Sequence, residues 1–181
     1  MHLTVDALEA GLDEIRQAPR DNGLVELIVC RPAENERTVL AEATVDPTDG
    51  VQGDTWRVRG STSMPDGSCN PARQITVMNA RAAALVAGDL DRWPLAGDQL
   101  YVDLDLSGEN LPAGSRLAVG TAVLEVSDQP HLGCKKFEAR FGRDALRFVN
   151  SVAGRALNLR GINCRVVTAG TVRVGDVVRK L

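Results

Sequence analysis

The stretch "LAVGTAVLEVSDQPHLGC", Leu117 to Cys134, decides the fold. Two short apolar runs rich in β-branched residues flank Gly120-Thr121, which reads as a tight turn between strands over Arg116 to Val119 and Ala122 to Ser127. Directly after the second run come Pro130, His131 and Cys134, followed by Lys135 and Lys136, two of the three lysines in the chain. Working outward, "DQLYVDLDL" alternates from Leu100 to Leu106 as a strand does. "RQITVMN" (Arg73 to Asn79) reads as a strand handing over to a helix capped by Asn79 and closed by Gly88. Upstream, "LVELIVC" (Leu24 to Cys30) and "TVLAEATV" (Thr38 to Val45) suit a hairpin. Downstream, Phe137, Phe141, Ala145 and Phe148 share one face of a helix over about Phe137 to Asn150, and a short helix is expected between Ser151 and Leu159. "NCRVVTAGTVRVGDVV" predicts a terminal hairpin turning at Ala169-Gly170. The sum is mainly β with a few α-helices, one domain built as a curved or closed antiparallel, barrel-like sheet. Residues 1–20 supply an N-terminal helix, with Val5, Leu8, Leu12 and Ile15 in helical spacing, that packs on a domain over 21–181.

Composition narrows the function. A chain of 181 residues with 44% hydrophobic and 25% charged residues has the balance of one globular domain. Its net charge of −3, its few aromatics and its scattered arginines exclude a nucleic-acid stripe. No apolar run reaches the roughly 20 residues of a membrane helix, and the acidic N-terminus does not resemble an export signal. Cys30, Cys69, Cys134 and Cys164 lie at irregular intervals without a CxxC, so reduced thiols and a cytoplasmic location are expected.

Candidate site residues follow from chemistry. Cations close to Cys134 favour its thiolate, the form that ligates soft metals, attacks electrophiles or carries sulfur. His131 is either a proton relay and hydrogen-bond donor or a plain turn residue. Arg73, following the long segment "DPTDGVQGDTWRVRGSTSMPDGSCNPA" (Asp46 to Ala72), is the arginine chosen for an oxyanion, and Lys135 is a second cationic contact. Asp54 is expected to hold that segment together. Cys30 and Cys164 are expected in the core; Cys69 is either a resolving thiol or merely a loop residue.

Five segments in order resemble the MOSC domain, the module at the C-terminus of molybdenum cofactor sulfurases. They are "GVQGD", "RQITVMN", "AGDQLYVDLDLS", "LAVGTAVLEVSDQPHLGC" and "RGINCRVVTAGTVRVGD", spanning about Val39 to the end. The resemblance implies a MOSC fold and a molybdenum-pterin cofactor, with Cys134 as metal ligand and Asp98 and Gln99 lining the pterin pocket. It also implies either a sulfur carrier or a reductase of N-hydroxylated compounds served by a separate redox or sulfur-donor protein. Trp56 stands where the family usually has histidine. Pyridoxal phosphate belongs to the parent sulfurases and is not expected of this chain, because no lysine has the setting of a Schiff-base pocket. The rival readings are a non-catalytic binding module for an anionic metabolite or partner, and a cofactor-free thiol enzyme using Cys134 and His131.

Overall fold

A computed structural model describes residues 2–181. The first hairpin forms as expected, with β1 (Gly23–Cys30) and β2 (Thr38–Leu40) paired from Cys30↔Thr38 to Ile28↔Leu40. The expected second strand breaks at Ala41, however. Its latter half is β3 (Glu42–Asp46), which joins β4 (Gly50–Val51) in a separate small sheet. Then come helices α1 (Val5–Ala10) and α2 (Leu12–Arg16) at the N-terminus, α3 (Trp56–Arg59) in the long segment, and β5 (Ile75–Asn79). Asn79 caps α4 (Ala80–Ala87) by accepting from the Ala82 amide at 3.0 Å.

A 3-10 turn over Leu90–Ala96 leads into β6 (Leu100–Asp103). β7 (Arg116–Val119) and β8 (Ala122–Pro130) pair as Val119↔Ala122 across Gly120-Thr121. The long amphipathic helix is two, α5 (Lys135–Phe141) and α6 (Arg143–Asn150), because Gly142 at φ 90° takes the chain out of helical geometry. The four residues assigned to its apolar face are all buried nonetheless. α7 (Val152–Ala156) precedes β9 (Ile162–Thr168), β10 (Gly170–Arg173) and β11 (Val177–Lys180). The expected hairpin at Ala169-Gly170 does not form: β9 stays with β8 and β5, while β10 crosses to pair with β3. A strand that switches sheets leaves the same local pattern as a hairpin arm.

Pairing runs β11-β7-β8-β9-β5-β6-β1, and β1 closes back on β11 through Gly23↔Val178 and Leu24↔Val177. The result is a closed seven-stranded barrel with β2 added at β1. All its pairs are antiparallel except β5–β6, whose parallel register needs the α4 crossover between them.

Two cores result. Val25, Ile28, Ile75, Val77, Leu100, Val102 and Cys164 point into the barrel. Leu27, Val29, Met78 and Tyr101 point outward under the helices, against Leu8, Phe137, Phe141 and Phe148. β6 is therefore buried on both faces, and an irregular register between Val25 and Leu27 moves Leu27 to the helical side. Burial of each phenylalanine stabilises by about 1.5–3 kcal/mol. The N-terminal helices belong to this outer core through Leu8 and Ile15. No helix of the described residues is long and apolar enough to cross a membrane.

Candidate functional site

The site grows from the turn Leu95–Asp98 that feeds β6. Three successive carbonyls of this turn each accept from a guanidinium on a different element. Leu95 O accepts from Arg140 Nη1 of α5 at 2.7 Å, Ala96 O from Arg160 Nη2 before β9 at 2.7 Å, and Gly97 O from Arg31 Nη1 after β1 at 3.0 Å. Arg37 comes close as well, its Nη2 3.7 Å from where a side-chain carbon on Gly97 would lie, and the φ of 94° at this turn favours glycine. Four cations from distant stretches thus converge on four residues.

Two buried carboxylates pair with two of them, Arg31 and Arg160. Asp54 is saturated: Oδ2 accepts from Arg31 N at 3.0 Å and Nε at 2.8 Å, and Oδ1 from Arg31 Nη2 at 3.0 Å and Trp56 N at 2.8 Å. It holds the long segment to β1 through Arg31, the structural role expected of it. Asp98 accepts from Arg160 Nη1 on Oδ2 at 2.5 Å, while its Oδ1 is buried with no hydrogen-bond partner. That oxygen lies 3.4 Å from His131 Nδ1, which is buried and equally unpartnered. Three residues more of β8 than expected, as far as Pro130↔Ile162, carry His131 to this place. Burial pushes the Asp98 carboxyl upward, with Arg160 opposing. Burial, then the charges of Arg160, Arg31 and Arg73, hold the His131 imidazole well below its ordinary value.

Two pockets open beside this core. One, of about 310 Å³, is lined by Arg31, Arg37, Arg59, Thr55 and Lys136 among others. The second, of about 620 Å³, is lined by Trp56, Arg59, Asn70 and Arg73 together with the loop at Ser61 and Met64. Arg59 belongs to both. Burial and neighbouring arginines depress the pKa of Arg37 (Arg140 and Arg31) and of Arg59 (Arg31), the signature of cations crowded together. Arg37 Nε is buried without a partner. Trp56 is buried, so the residue in the family's histidine position is an apolar wall.

The other expected residues distribute as follows. Cys134 is exposed and stands just before α5, its carbonyl accepting from the Glu138 amide at 3.0 Å. Asn150 fixes the approach to it by accepting from Gly133 N at 2.9 Å and donating to Gly133 O at 3.1 Å. The thiol lines neither of the two pockets. Lys135 is exposed, and Lys136 reaches Glu34 at 3.2 Å at the rim of the smaller pocket. Gln99 is fully buried; Oε1 accepts from Thr76 N at 2.8 Å and Oγ1 at 2.6 Å, and Nε2 donates to Gln74 O, so its amide is spent inside the barrel wall. Cys30 and Cys164 are buried as expected, and burial lifts the Cys164 thiol to about 12. Cys69 is half-buried in the long segment. Sequence reading missed Arg31, Arg37, Arg59, Arg140 and Arg160. No signal in the sequence distinguishes these five among 18 arginines.

The fold and site together define a closed β-barrel with an arginine-rich cleft at one end. A family model described as MOSC domain matches residues 67–179. The chain belongs to the MOSC domain family. The match includes Arg73, Asp98, His131, Cys134, Arg140 and Arg160, and leaves Arg31, Arg37 and Arg59 outside it. Among solved structures, the YUAD protein from Bacillus subtilis superposes with a TM-score of 0.61 at 19% identity, over 87% of this chain and 94% of that one. YiiM from Escherichia coli gives 0.57 at 16% over 87% and 69%, and YiiM from Geobacillus stearothermophilus 0.54 at 15% over 89% and 73%. These likenesses concern the fold. No curated protein matches the sequence significantly.

Proposed function

We propose that the arginine-lined end of the barrel binds an anionic small molecule, and that this is a molybdenum-pterin cofactor with Cys134 as its sulfur ligand or as a carrier of sulfur. The observation that carries the reading is the charge imbalance. Arg31, Arg37, Arg59, Arg73, Arg140 and Arg160 gather where Asp54 and Asp98 are the buried carboxylates, and Arg37 Nε has no protein partner. Planar guanidiniums grip phosphate oxygens in pairs, and an anion relieves the repulsion among them. The donor set fits such a group: cationic forks for its phosphate, and an accessible soft sulfur for its metal.

When bound, the cofactor supplies two-electron redox chemistry, by which an N–OH compound takes up two electrons and two protons and leaves as an N–H compound and water. The electrons come from a separate redox protein. This chain's residues contribute binding by Arg37, Arg59 and Arg73, a Cys134 backbone held by Asn150, and a His131 whose imidazole burial, then its cationic neighbours, hold well below its ordinary value. The test is elemental analysis for molybdenum with fluorescence detection of released pterin, on wild type and Cys134→Ser expressed with molybdate. Metal and pterin in the wild type, with metal lost from the variant, support the reading. Absence of metal, pterin and a Cys134 persulfide from the wild type sinks it.

The second reading is a binding module for an anionic metabolite, favoured by the absence of Cys134 from the lining of either arginine pocket. Calorimetric titration with pyrophosphate separates the two. A binding module keeps its affinity in Cys134→Ser and loses it in Arg59→Gln.

A further inference from the structure

Asp98 Oδ1 and His131 Nδ1 are the only unpartnered buried polar atoms on their side chains, and they face each other at 3.4 Å. One proton placed between them satisfies both. It can sit in two ways with opposite consequences. If Asp98 is a carboxylate, His131 carries hydrogen on Nδ1 and Nε2 is a bare lone pair. If Asp98 is a carboxylic acid, it donates to Nδ1 and Nε2 becomes an N–H donor. The two arrangements look alike in heavy atoms.

The surroundings choose between them. Asp98 Oδ2 already accepts a charge-assisted bond from Arg160 Nη1, and Arg160 is fixed from three sides: by that carboxylate, by Ala96 O at 2.7 Å and by the Phe137 ring, 5.1 Å below its guanidinium carbon. The other charges facing the pair, Arg31 beside the turn and Arg73 before β5, are also cations. Burial alone works toward the neutral acid at Asp98, and the Arg160 bond and the Arg31 charge work toward the carboxylate. At His131 burial and the guanidiniums both work toward the neutral ring, which leaves the direct Arg160 contact on Oδ2 as the geometric reason for the carboxylate. Gly161 lies beside the ring; a side-chain carbon there would stand 3.2 Å from Nδ1 and closer still to Val77 O, so the position has no room for one. His131 keeps 17% of its side chain exposed, and its Nε2 is neither bonded to protein nor among the buried unpartnered atoms.

We propose that Asp98, anchored by Arg160, is a positioning residue that fixes His131 as the neutral Nδ1–H tautomer, so that Nε2 offers a hydrogen-bond acceptor beside the arginine cluster, outside the lining of the two arginine pockets. Arginines contribute donors only, as do lysines. An acceptor beside them favours anions that still carry an N–H or O–H over fully deprotonated ones wherever a ligand held by the arginines reaches Nε2. The ligand consequence rests on the reading of this end of the barrel as the binding site; the tautomer does not. Its role is to accept, in contrast to the donor or relay expected of His131 from sequence.

The chain has two histidines, His2 and His131, so long-range ¹⁵N–¹H correlation of the ring nitrogens of uniformly labelled apoprotein reads the tautomer directly. His131→Gln identifies the signals. The expected result at neutral pH is a protonated-type shift at Nδ1 and an unprotonated one at Nε2, in a ratio of about ten to one or more, the size a charge-assisted hydrogen bond confers. Asp98→Asn, which offers Nδ1 either an amide donor or a weaker acceptor, is expected to lower that ratio with the fold retained by circular dichroism. A wild type with hydrogen on Nε2 overturns the proposal without need of any variant, as does a ratio that Asp98→Asn leaves unchanged. Neither result depends on whether the protein holds molybdenum.

Discussion

Two buried ion pairs flank the same turn, and they are used differently. Arg31–Asp54 and Arg160–Asp98 are matched in burial, with side chains 8% and 0% exposed in the first and 7% and 0% in the second. Asp54 spends both oxygens on four hydrogen bonds, two of them to main-chain N–H groups. Asp98 spends one oxygen on Arg160 and aims the other at His131. A saturated carboxylate fastens a segment; one with an oxygen in reserve can set the state of a neighbour. The contrast teaches that burial and charge alone do not separate a fold-holding pair from a site-forming one, whereas an account of each lone pair does.

The strongest way to break this comparison is Asp54→Asn. The amide removes the charge partner of buried Arg31 and turns a donor toward other donors, so a loss of about 3–5 kcal/mol is expected in urea unfolding. A loss below about 1 kcal/mol would show that Asp54 does not hold the long segment, and the contrast would collapse. Asp98→Asn is expected to cost less, about 2–3 kcal/mol, because no main-chain N–H loses an acceptor and Arg160 keeps Ala96 O and the Phe137 ring. Equal losses in the two variants would remove the distinction.

Acid unfolding sharpens the same point at a smaller scale. His131 titrates in the folded protein well below its ordinary value, so between that folded value and about 6.5 the unfolded chain binds the extra proton. Its contribution to stability is complete above about pH 6.5 and is lost as pH falls, with a slope of at most about 1.4 kcal/mol per pH unit. Asp98 acts in the opposite sense, since its folded pKa is raised: between the unfolded and the raised folded value the native state holds the extra proton. The difference between wild type and His131→Gln isolates the histidine. The variant should lose less stability than wild type between about pH 6.5 and 5, and parallel curves would contradict the burial of Nδ1.

What was legible in sequence was local. The Asn79 cap and the Gly120-Thr121 turn are each fixed by residues within a few positions of one another and stand as read, and of the first hairpin the pairing of β1 with the first half of the expected second strand does. What was not legible is non-local. β10 has the alternation of a hairpin arm but pairs with β3, more than a hundred residues earlier, because the partner is chosen by barrel geometry. The site behaves likewise. His131 and Cys134 stand out because histidine and cysteine are rare here, whereas Arg31 and Arg160 are two among 18 arginines and become visible only when Gly97 O and Ala96 O receive them. Gln99 shows the converse, for the family resemblance implied a pocket residue there, whereas its amide is spent on Thr76 and Gln74 inside the wall.

The smallest expected effect on stability separates site from scaffold most cleanly. Arg37 sits in the same cluster as Arg31, but its guanidinium makes one side-chain hydrogen bond, from Nη1 to the Glu36 carbonyl, and its Nε has no partner. It faces the charges of Arg140 and Arg31 without a carboxylate of its own. Removing it deletes a repulsion and leaves no buried group unpaired, so Arg37→Gln should change stability by no more than about 0.5 kcal/mol in either direction. If the cluster exists to hold an anion, the same substitution should lower pyrophosphate affinity by about tenfold, the worth of one charge-assisted contact. A residue that costs the fold nothing and the ligand a great deal is held in place by function. Were Arg37→Gln to destabilise as Asp54→Asn does while leaving pyrophosphate binding intact, the cluster would be scaffold throughout, and the distinction between the two ion pairs would lose its functional meaning.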